Sequence, residues 1–158
     1  MDIYKPHEFL LEFPHPASKG KEKVDTYVKS IGLKNGLILE CKYDKKNPST
    51  HPKTMKAGKI FNDLYRLASF NIDTQAKKWF IYVTDDIMSE YFMNNKFADF
   101  FDLNRGNELI IDNNYLNNRA DTFLENINMY GIKNIKIECI LKNDLPQNNK
   151  IRIYEIKN

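Results

Sequence analysis

The sequence lacks the long apolar segments and the charge excess that would assign it to a membrane or to a basic nucleic-acid-binding tail. Its uncharged apolar stretches are only a few residues long, so we expect no segment to span a bilayer. Lys and Arg total 24 against 21 Asp and Glu, so any affinity for nucleic acid must come from where these charges lie. The first residues also lack the basic-then-apolar layout of a signal peptide. These absences predict a cytoplasmic protein.

Motifs for several common chemistries are also missing. The chain has 2 cysteines, Cys41 and Cys139, each inside an apolar run, which favours reduced, buried thiols over a structural disulfide. No Cys or His pair has the spacing of zinc ligands. A glycine-rich phosphate loop with its lysine is absent, so no nucleotide cofactor is expected. Neither a G-x-S-x-G sequence nor a Cys/His pairing supports acyl transfer.

What is present is an ordinary globular composition. Apolar residues make up 42% of 158 residues, which is enough for one compact core in a chain too short for two comfortable domains. The chain has no internal repeat and no low-complexity linker. We therefore expect residues 1–158 to form a single domain.

The first part of the chain carries short β patterns. His7–Phe13 fits either a short helix or a strand, and prolines end it. Val24–Lys29 alternates and is rich in β-forming residues, which predicts a strand. Ile31–Asn35 is expected to form a turn that ends at Asn35-Gly36, a strong hairpin signal. Gly36–Tyr43 is the expected antiparallel partner strand.

The remainder alternates between helical and β patterns. Lys78–Thr84 is a continuous apolar run, typical of a strand covered on both faces. The helical stretches are Thr54–Phe70, Met88–Phe101 and Arg119–Tyr130, and the other β stretches are Glu108–Asp112, Ile135–Leu141 and Lys150–Ile156. The second of these helices carries a stripe of phenylalanines that is expected to pack in the core. Its members are Phe92, Phe97, Phe100 and Phe101. The order predicts an α/β fold with a mixed central β-sheet flanked by helices.

One stretch, the strand GLILECKY, is not generic. Side-chain alternation places Ile38, Glu40 and Lys42 on one face of an otherwise apolar strand. Burying two such charges costs several kcal/mol per ion unless each has a partner. If the hairpin pairs this strand with the preceding one, Asp25 lies near Glu40 on the same face. Two neighbouring carboxylates repel, and a divalent cation between them removes that cost.

A nearby lysine completes a composition suited to metal-assisted phosphodiester hydrolysis, because it orients water against a phosphate and offsets developing negative charge. Asp25 followed, after a spacer, by Glu40-Cys41-Lys42 between apolar β-residues resembles the PD-(D/E)xK nuclease superfamily. The resemblance covers roughly residues 10–80, including the helix and the apolar strand after the motif, and it implies a restriction-endonuclease-like core. It departs from the family in having Val24, not proline, before the aspartate.

The resemblance also implies roles for individual residues. Lys42 would be the catalytic lysine, acting with Asp25 and Glu40. The implied cofactor is Mg²⁺, with Mn²⁺ expected to substitute. The implied metal ligands are Asp25, Glu40, the backbone carbonyl of Cys41, and an upstream acidic residue, for which Glu12 or Glu8 matches the position.

The function implied is a metal-dependent DNA endonuclease of a restriction or defence type, and a homodimer would cut two strands most simply. A Holliday-junction resolvase-like nuclease is an alternative, since it has a similar size and a similar turn at Ser18–Lys21. A non-catalytic DNA- or protein-binding module on the same fold is another. Lysines flanking the motif would bind the phosphate backbone, or would instead form solvated loops. They are Lys19, Lys21, Lys23, Lys45, Lys46, Lys53, Lys56 and Lys59.

Overall fold

The computed structural model describes residues 9–18, 21–44 and 52–157, which form a seven-stranded mixed β-sheet with helices packed against it. The strands are β1 (Phe9–Pro14), β2 (Lys23–Val28), β3 (Leu37–Asp44), β4 (Lys77–Thr84), β5 (Glu108–Asp112), β6 (Asn134–Asp144) and β7 (Lys150–Lys157). The helices are α1 (Lys53–Ala68), α2 (Asp86–Asn94), α3 (Ala98–Phe101), α4 (Asn113–Leu116) and α5 (Asp121–Leu124). The expected α/β class with a mixed central sheet is therefore confirmed.

The strands follow the order β1-β2-β3-β4-β7-β6-β5 across the sheet. β3 and β4 run parallel, whereas the other neighbouring strands are antiparallel. Parallel neighbours need a long crossover connection, and α1 lies in the connection between β3 and β4. This places α1 directly over the strand that carries the Glu-x-Lys sequence.

The expected antiparallel pairing of β2 with β3 is confirmed, and a tight turn lies within the expected Ile31–Asn35 segment. An isolated bridge joins Ile31 to Lys34, and Gly32 between them has φ 60°. Asn35-Gly36 instead leads into β3. A Cβ on Gly36 would lie 2.2 Å from the carbonyl oxygen of Val28, so glycine is needed there for close packing of the backbone.

The helices cover one face of the sheet more fully than the other. Phe92 of α2 contacts Tyr82, and Phe100 of α3 contacts Tyr154, on the face that α1 also covers. On the opposite face of β4, Trp79 and Val83 are only half-buried. The expectation that this strand is covered on both faces is therefore wrong, because α2 packs on the face of Tyr82 while the side chains of Trp79 and Val83 stay partly exposed to water.

The long helix expected over Met88–Phe101 is two helices. α2 ends at Asn94, and Lys96, with φ 62°, turns the chain before α3 begins. Asp85 caps α2 by accepting hydrogen bonds from the backbone N–H groups of Ile87 and Met88. The aromatic stripe packs in the core as expected, and its buried members are Phe92, Phe97, Phe100 and Phe101.

The helix expected over Arg119–Tyr130 is reduced to the single turn of α5. Asparagine side chains compete for the backbone groups that a longer helix would use. Asn126 donates to the carbonyl of Thr122 at 2.7 Å. The side-chain oxygen of Asn62, on α1, accepts from the N–H of Asn128 at 2.9 Å. Tertiary contact with α1 therefore takes over from helical pairing.

Both cysteines are free thiols, but only Cys139 is buried as expected. Cys41 is exposed because it lies on the less covered face of β3, as does the exposed Tyr43. The open choice at the start of the chain is settled in favour of a strand, β1. None of the helices in the described part of the chain has the length and apolar character needed to cross a bilayer.

Candidate active site

The C-terminal half of β3 brings Glu40 and Lys42 beneath α1. Alternation puts both on the helix-covered face, with Glu40 buried and Lys42 half-buried. On α1, Asp63 and Arg66 are three positions apart, so they share one face of the helix. That face meets β3, and the four charged side chains are brought together.

These side chains form a chain of alternating charges. Lys42 Nζ lies 3.1 Å from Asp63 Oδ2, and Arg66 Nη2 lies 3.3 Å from Asp63 Oδ1. Arg66 Nη2 also donates to Glu40 Oε1. The side chains of Glu40, Asp63 and Arg66 are only 8%, 9% and 15% exposed. The network therefore holds both anions and Arg66 largely away from bulk water, Lys42 reaches the surface, and each charge has a partner.

One oxygen of this network lacks a partner. Glu40 Oε2 is buried and makes no hydrogen bond within the described part of the chain. Burial raises the pKa of Glu40 to about 7, while Arg66 opposes the rise and Asp25 adds to it. A buried polar atom without a hydrogen bond is uncommon in a folded protein. This oxygen is therefore a position where a cation would be favourable.

Asp25 approaches the same strand from β2. Its Oδ2 accepts a hydrogen bond from the backbone N–H of Cys41 at 2.6 Å. Regular β2–β3 pairing ends at Thr26 and Leu39, and one further step of that register would set Asp25 opposite Glu40. The exposed carboxylate thus bonds to the residue between the two charged positions of the Glu-x-Lys sequence.

The upstream acidic residue is less closely tied to the site. Glu12 of β1 lies level with Asp25 of β2 in the register of the two strands. Its exposed carboxylate accepts from Lys23 Nζ at 2.9 Å, and this hydrogen bond lowers the pKa of Glu12. Its φ of 49° interrupts regular extension of β1. Glu8, the other choice, lies outside the described residues.

The flanking lysines fall into three groups: one near the end of β3, three outside the described residues and four on the surface. Lys56, in the first part of α1, lies close enough to Asp44 to oppose the rise in the pKa of Asp44 that burial causes. The first part of α1 therefore lies beside the end of β3. Three of the expected DNA-binding lysines, Lys19, Lys45 and Lys46, lie outside the described residues, and those placed on the surface are Lys21, Lys23, Lys53 and Lys59.

Asp63 and Arg66 are functional-site candidates that the sequence alone does not predict. The signal available was two charged residues interleaved with the apolar stripe of α1, next to Leu64 and Leu67. A helix of this kind normally carries its charges on the opposite face. A charge within the stripe indicates a buried partner, but the sequence does not say which residue that partner is.

His15 follows β1, outside any helix or strand, and is fully buried. Its Nδ1 accepts from the N–H of Ala17 at 3.2 Å, so Nε2 carries the proton and donates to the carbonyl of Arg66 at 2.8 Å. Burial lowers the pKa of His15, and the bond to Arg66 opposes this. The neutral ring anchors the last turn of α1.

No three His, Cys, Asp or Glu side chains form a ready-made metal site among residues 9–18, 21–44 and 52–157. Mg²⁺ commonly binds through one or two carboxylates and completes its shell with water and substrate phosphate. The roles of Asp25, Glu40, Cys41 and Lys42 stay predictions.

Comparisons of the chain with protein-family models, with curated proteins and with solved structures found no match. The likeness to the PD-(D/E)xK superfamily thus depends on the motif and its setting.

Proposed function

We propose that the chain is a Mg²⁺-dependent DNA endonuclease with a restriction-endonuclease-like core, acting in the cytoplasm as a homodimer. The observation that carries the proposal is the hydrogen bond from Cys41 N–H to the Asp25 carboxylate, at 2.6 Å. It brings that carboxylate to the strand position between Glu40 and Lys42. The succession of β2, β3, α1 and β4 also supports the proposal, because it follows the order that the resemblance implies.

The donor atoms at this site suit a hard divalent cation. Asp25 and Glu40 supply carboxylate oxygens, Cys41 supplies a backbone carbonyl, and Glu40 Oε2 is buried without a hydrogen bond. When bound, Mg²⁺ would stabilise negative charge on the phosphate as a Lewis acid. Mn²⁺ prefers the same oxygen ligands and is expected to substitute.

The remaining chemistry belongs to the chain itself. Lys42 presents an ammonium with three N–H donors, which orients the attacking water and offsets charge developing on the phosphate. Lysines around the site hold the DNA backbone through phosphate contacts, which position the substrate without reading its sequence. Those on described elements are Lys21, Lys23, Lys53, Lys56 and Lys59.

A non-catalytic DNA-binding module is the second candidate, and one observation favours it. Glu40 and Lys42 each already have an ionic partner on α1. A balanced network of this kind can exist as a structural element, and phosphate binding by the surface lysines would then need no metal.

The test of the first candidate is cleavage of supercoiled plasmid DNA in Mg²⁺ or Mn²⁺. We expect nicked or linear product with the wild type and a loss of at least about 100-fold with Lys42→Ala, because a catalytic charge is removed. Lys136→Ala, an exposed lysine on β6, is the matched control and should cleave as the wild type does. Equal cleavage by wild type and Lys42→Ala would show that the activity comes from another site or a contaminant.

Calcium separates the two candidates. Ca²⁺ takes the same oxygen ligands with looser geometry, so a nuclease should bind DNA more tightly in Ca²⁺ without cutting it efficiently. Glu40→Gln removes one negative charge and should bind DNA better without metal and gain less from Ca²⁺. A binding module should lose affinity with salt, with a slope of about −0.9 per phosphate contacted, and show no dependence on metal. No cleavage of duplex, junction or single-stranded DNA would then decide for the module.

A further inference from the structure

Asp63 and Arg66 are charged residues in a part of α1 that faces the core. Their side chains are nearly buried, and their partners are Lys42 and Glu40 on β3. Buried ion pairs are weak stabilisers, since apolar residues of similar size often give equal or greater stability. Stability alone therefore does not explain why Asp63 and Arg66 are charged. Their contacts with Lys42 and Glu40, the residues of the proposed active site, give a more direct explanation.

We infer that Asp63 and Arg66 are positioning residues for phosphodiester hydrolysis, Arg66 acting on Glu40 and Asp63 acting on Lys42. This inference rests on the proposed function. Arg66 binds Oε1 of Glu40 and leaves Oε2, the buried oxygen without a hydrogen bond, to face a cation. Asp63 contacts Lys42 Nζ at 3.1 Å, which leaves the other ammonium donors for water and phosphate.

The helix that carries this pair is itself held in place. The carbonyl of Arg66 accepts from His15 Nε2 at 2.8 Å and from Ser69 Oγ at 2.7 Å. Asp63 links both halves of the network by contacting Lys42 and Arg66 with different oxygens. Side chains locked by such contacts keep a reacting group in one orientation, as a functional site requires.

The two residues have opposite charges, so their removal has opposite effects on cation binding. Replacing Asp63 with asparagine removes a negative charge near Glu40 and should weaken cation binding. Replacing Arg66 with glutamine removes a positive charge bonded to Glu40 and should strengthen it. Turnover should fall in both cases, because each variant frees one catalytic group from its orientation. Affinity and turnover should therefore move in opposite directions in Arg66→Gln, whereas a purely structural role would lower both quantities in both variants.

The experiment measures Mn²⁺ binding by calorimetry without DNA, and DNA cleavage under single-turnover conditions. We expect Asp63→Asn and Arg66→Gln each to lower the cleavage rate by about 10–100-fold, as loss of an outer-shell partner commonly does. Affinity for Mn²⁺ should fall several-fold in Asp63→Asn and rise several-fold in Arg66→Gln. Asp121→Asn and Arg105→Gln, both exposed and outside the network, are the charge-matched controls.

Arg66→Lys is a second variant that tests the inference if Arg66→Gln does not fold. It keeps the charge but loses the planar guanidinium, so Mn²⁺ affinity should match the wild type while the cleavage rate falls. Wild-type cleavage rates in all three variants, or Mn²⁺ affinities that move in the same direction in Asp63→Asn and Arg66→Gln, would overturn the inference. Absence of metal-dependent cleavage by the wild type would instead overturn the proposed function itself.

Discussion

Ion pairs occur in two contrasting settings in this molecule, beneath α1 and along the β5–β6 edge of the sheet. At the edge, Lys136 and Glu108 pair at 2.9 Å with side chains 44% and 46% exposed. Beneath α1, Arg66 and Glu40 pair with side chains only 15% and 8% exposed. Water screens the first pair, and such pairs contribute about 0–1 kcal/mol. The second pair has lost its water, so each charge depends on its partner.

Breaking the buried pair should have the largest effect on stability. Arg66→Ala leaves the Glu40 carboxylate buried without its cation, and we expect the free energy of unfolding to fall by about 3–5 kcal/mol. Urea denaturation above pH 7, where Glu40 is charged, measures this loss. In a Glu40→Gln background the same substitution should be clearly less damaging. Equal losses in both backgrounds would show that packing of the arginine, and not its charge, stabilises this region.

The Glu40 carboxylate should also make the stability of the protein depend on pH. We expect this effect to be smaller than that of Arg66→Ala. The pKa of Glu40 is raised from 4.5 to about 7, mainly by burial, so the folded state binds the proton more tightly than the unfolded chain. This contribution to stability is full below pH 4.5, declines as pH rises to about 7, and is flat above that. Wild type should therefore lose stability relative to Glu40→Gln across this window.

The comparison with Glu40→Gln is needed because His15 acts in the opposite sense. Burial lowers the pKa of His15, so the unfolded chain takes up a proton first and stability declines as pH falls below 6.5. Both proteins contain His15, so its contribution cancels in the difference. A difference in unfolding free energy that stays constant with pH would contradict the raised pKa of Glu40.

Breaking the exposed pair should have the smallest effect. Lys136→Ala removes the partner of Glu108 at a site where water replaces it, and we expect the free energy of unfolding to change by less than about 0.5 kcal/mol. The same urea experiment measures it. A loss comparable to that of Arg66→Ala would mean that solvent exposure does not separate the two settings.

Local pattern was a good guide to the strands, β3 among them, and a poor one to the helices after β4. Alternation along a strand depends only on the backbone, so it predicted that Glu40 and Lys42 share a face. The same pattern did not say which face is covered, and the burial expected for Cys41 was wrong. The helix expected over Arg119–Tyr130 failed because Asn62, far away in sequence, competes for its backbone.

The sequence by itself determined the α/β class, the β2–β3 pairing and the strand that carries the Glu-x-Lys residues, because these follow from local periodicity. Only the tertiary structure decided that Asp63 meets Lys42, that Arg66 meets Glu40 and that Glu40 keeps one buried oxygen without a hydrogen bond. Those contacts depend on how α1, the crossover helix, packs over the parallel strands β3 and β4, and no local sequence pattern determines that packing. Burial then sets how strongly these charges interact, since the effective dielectric constant depends on everything packed around them.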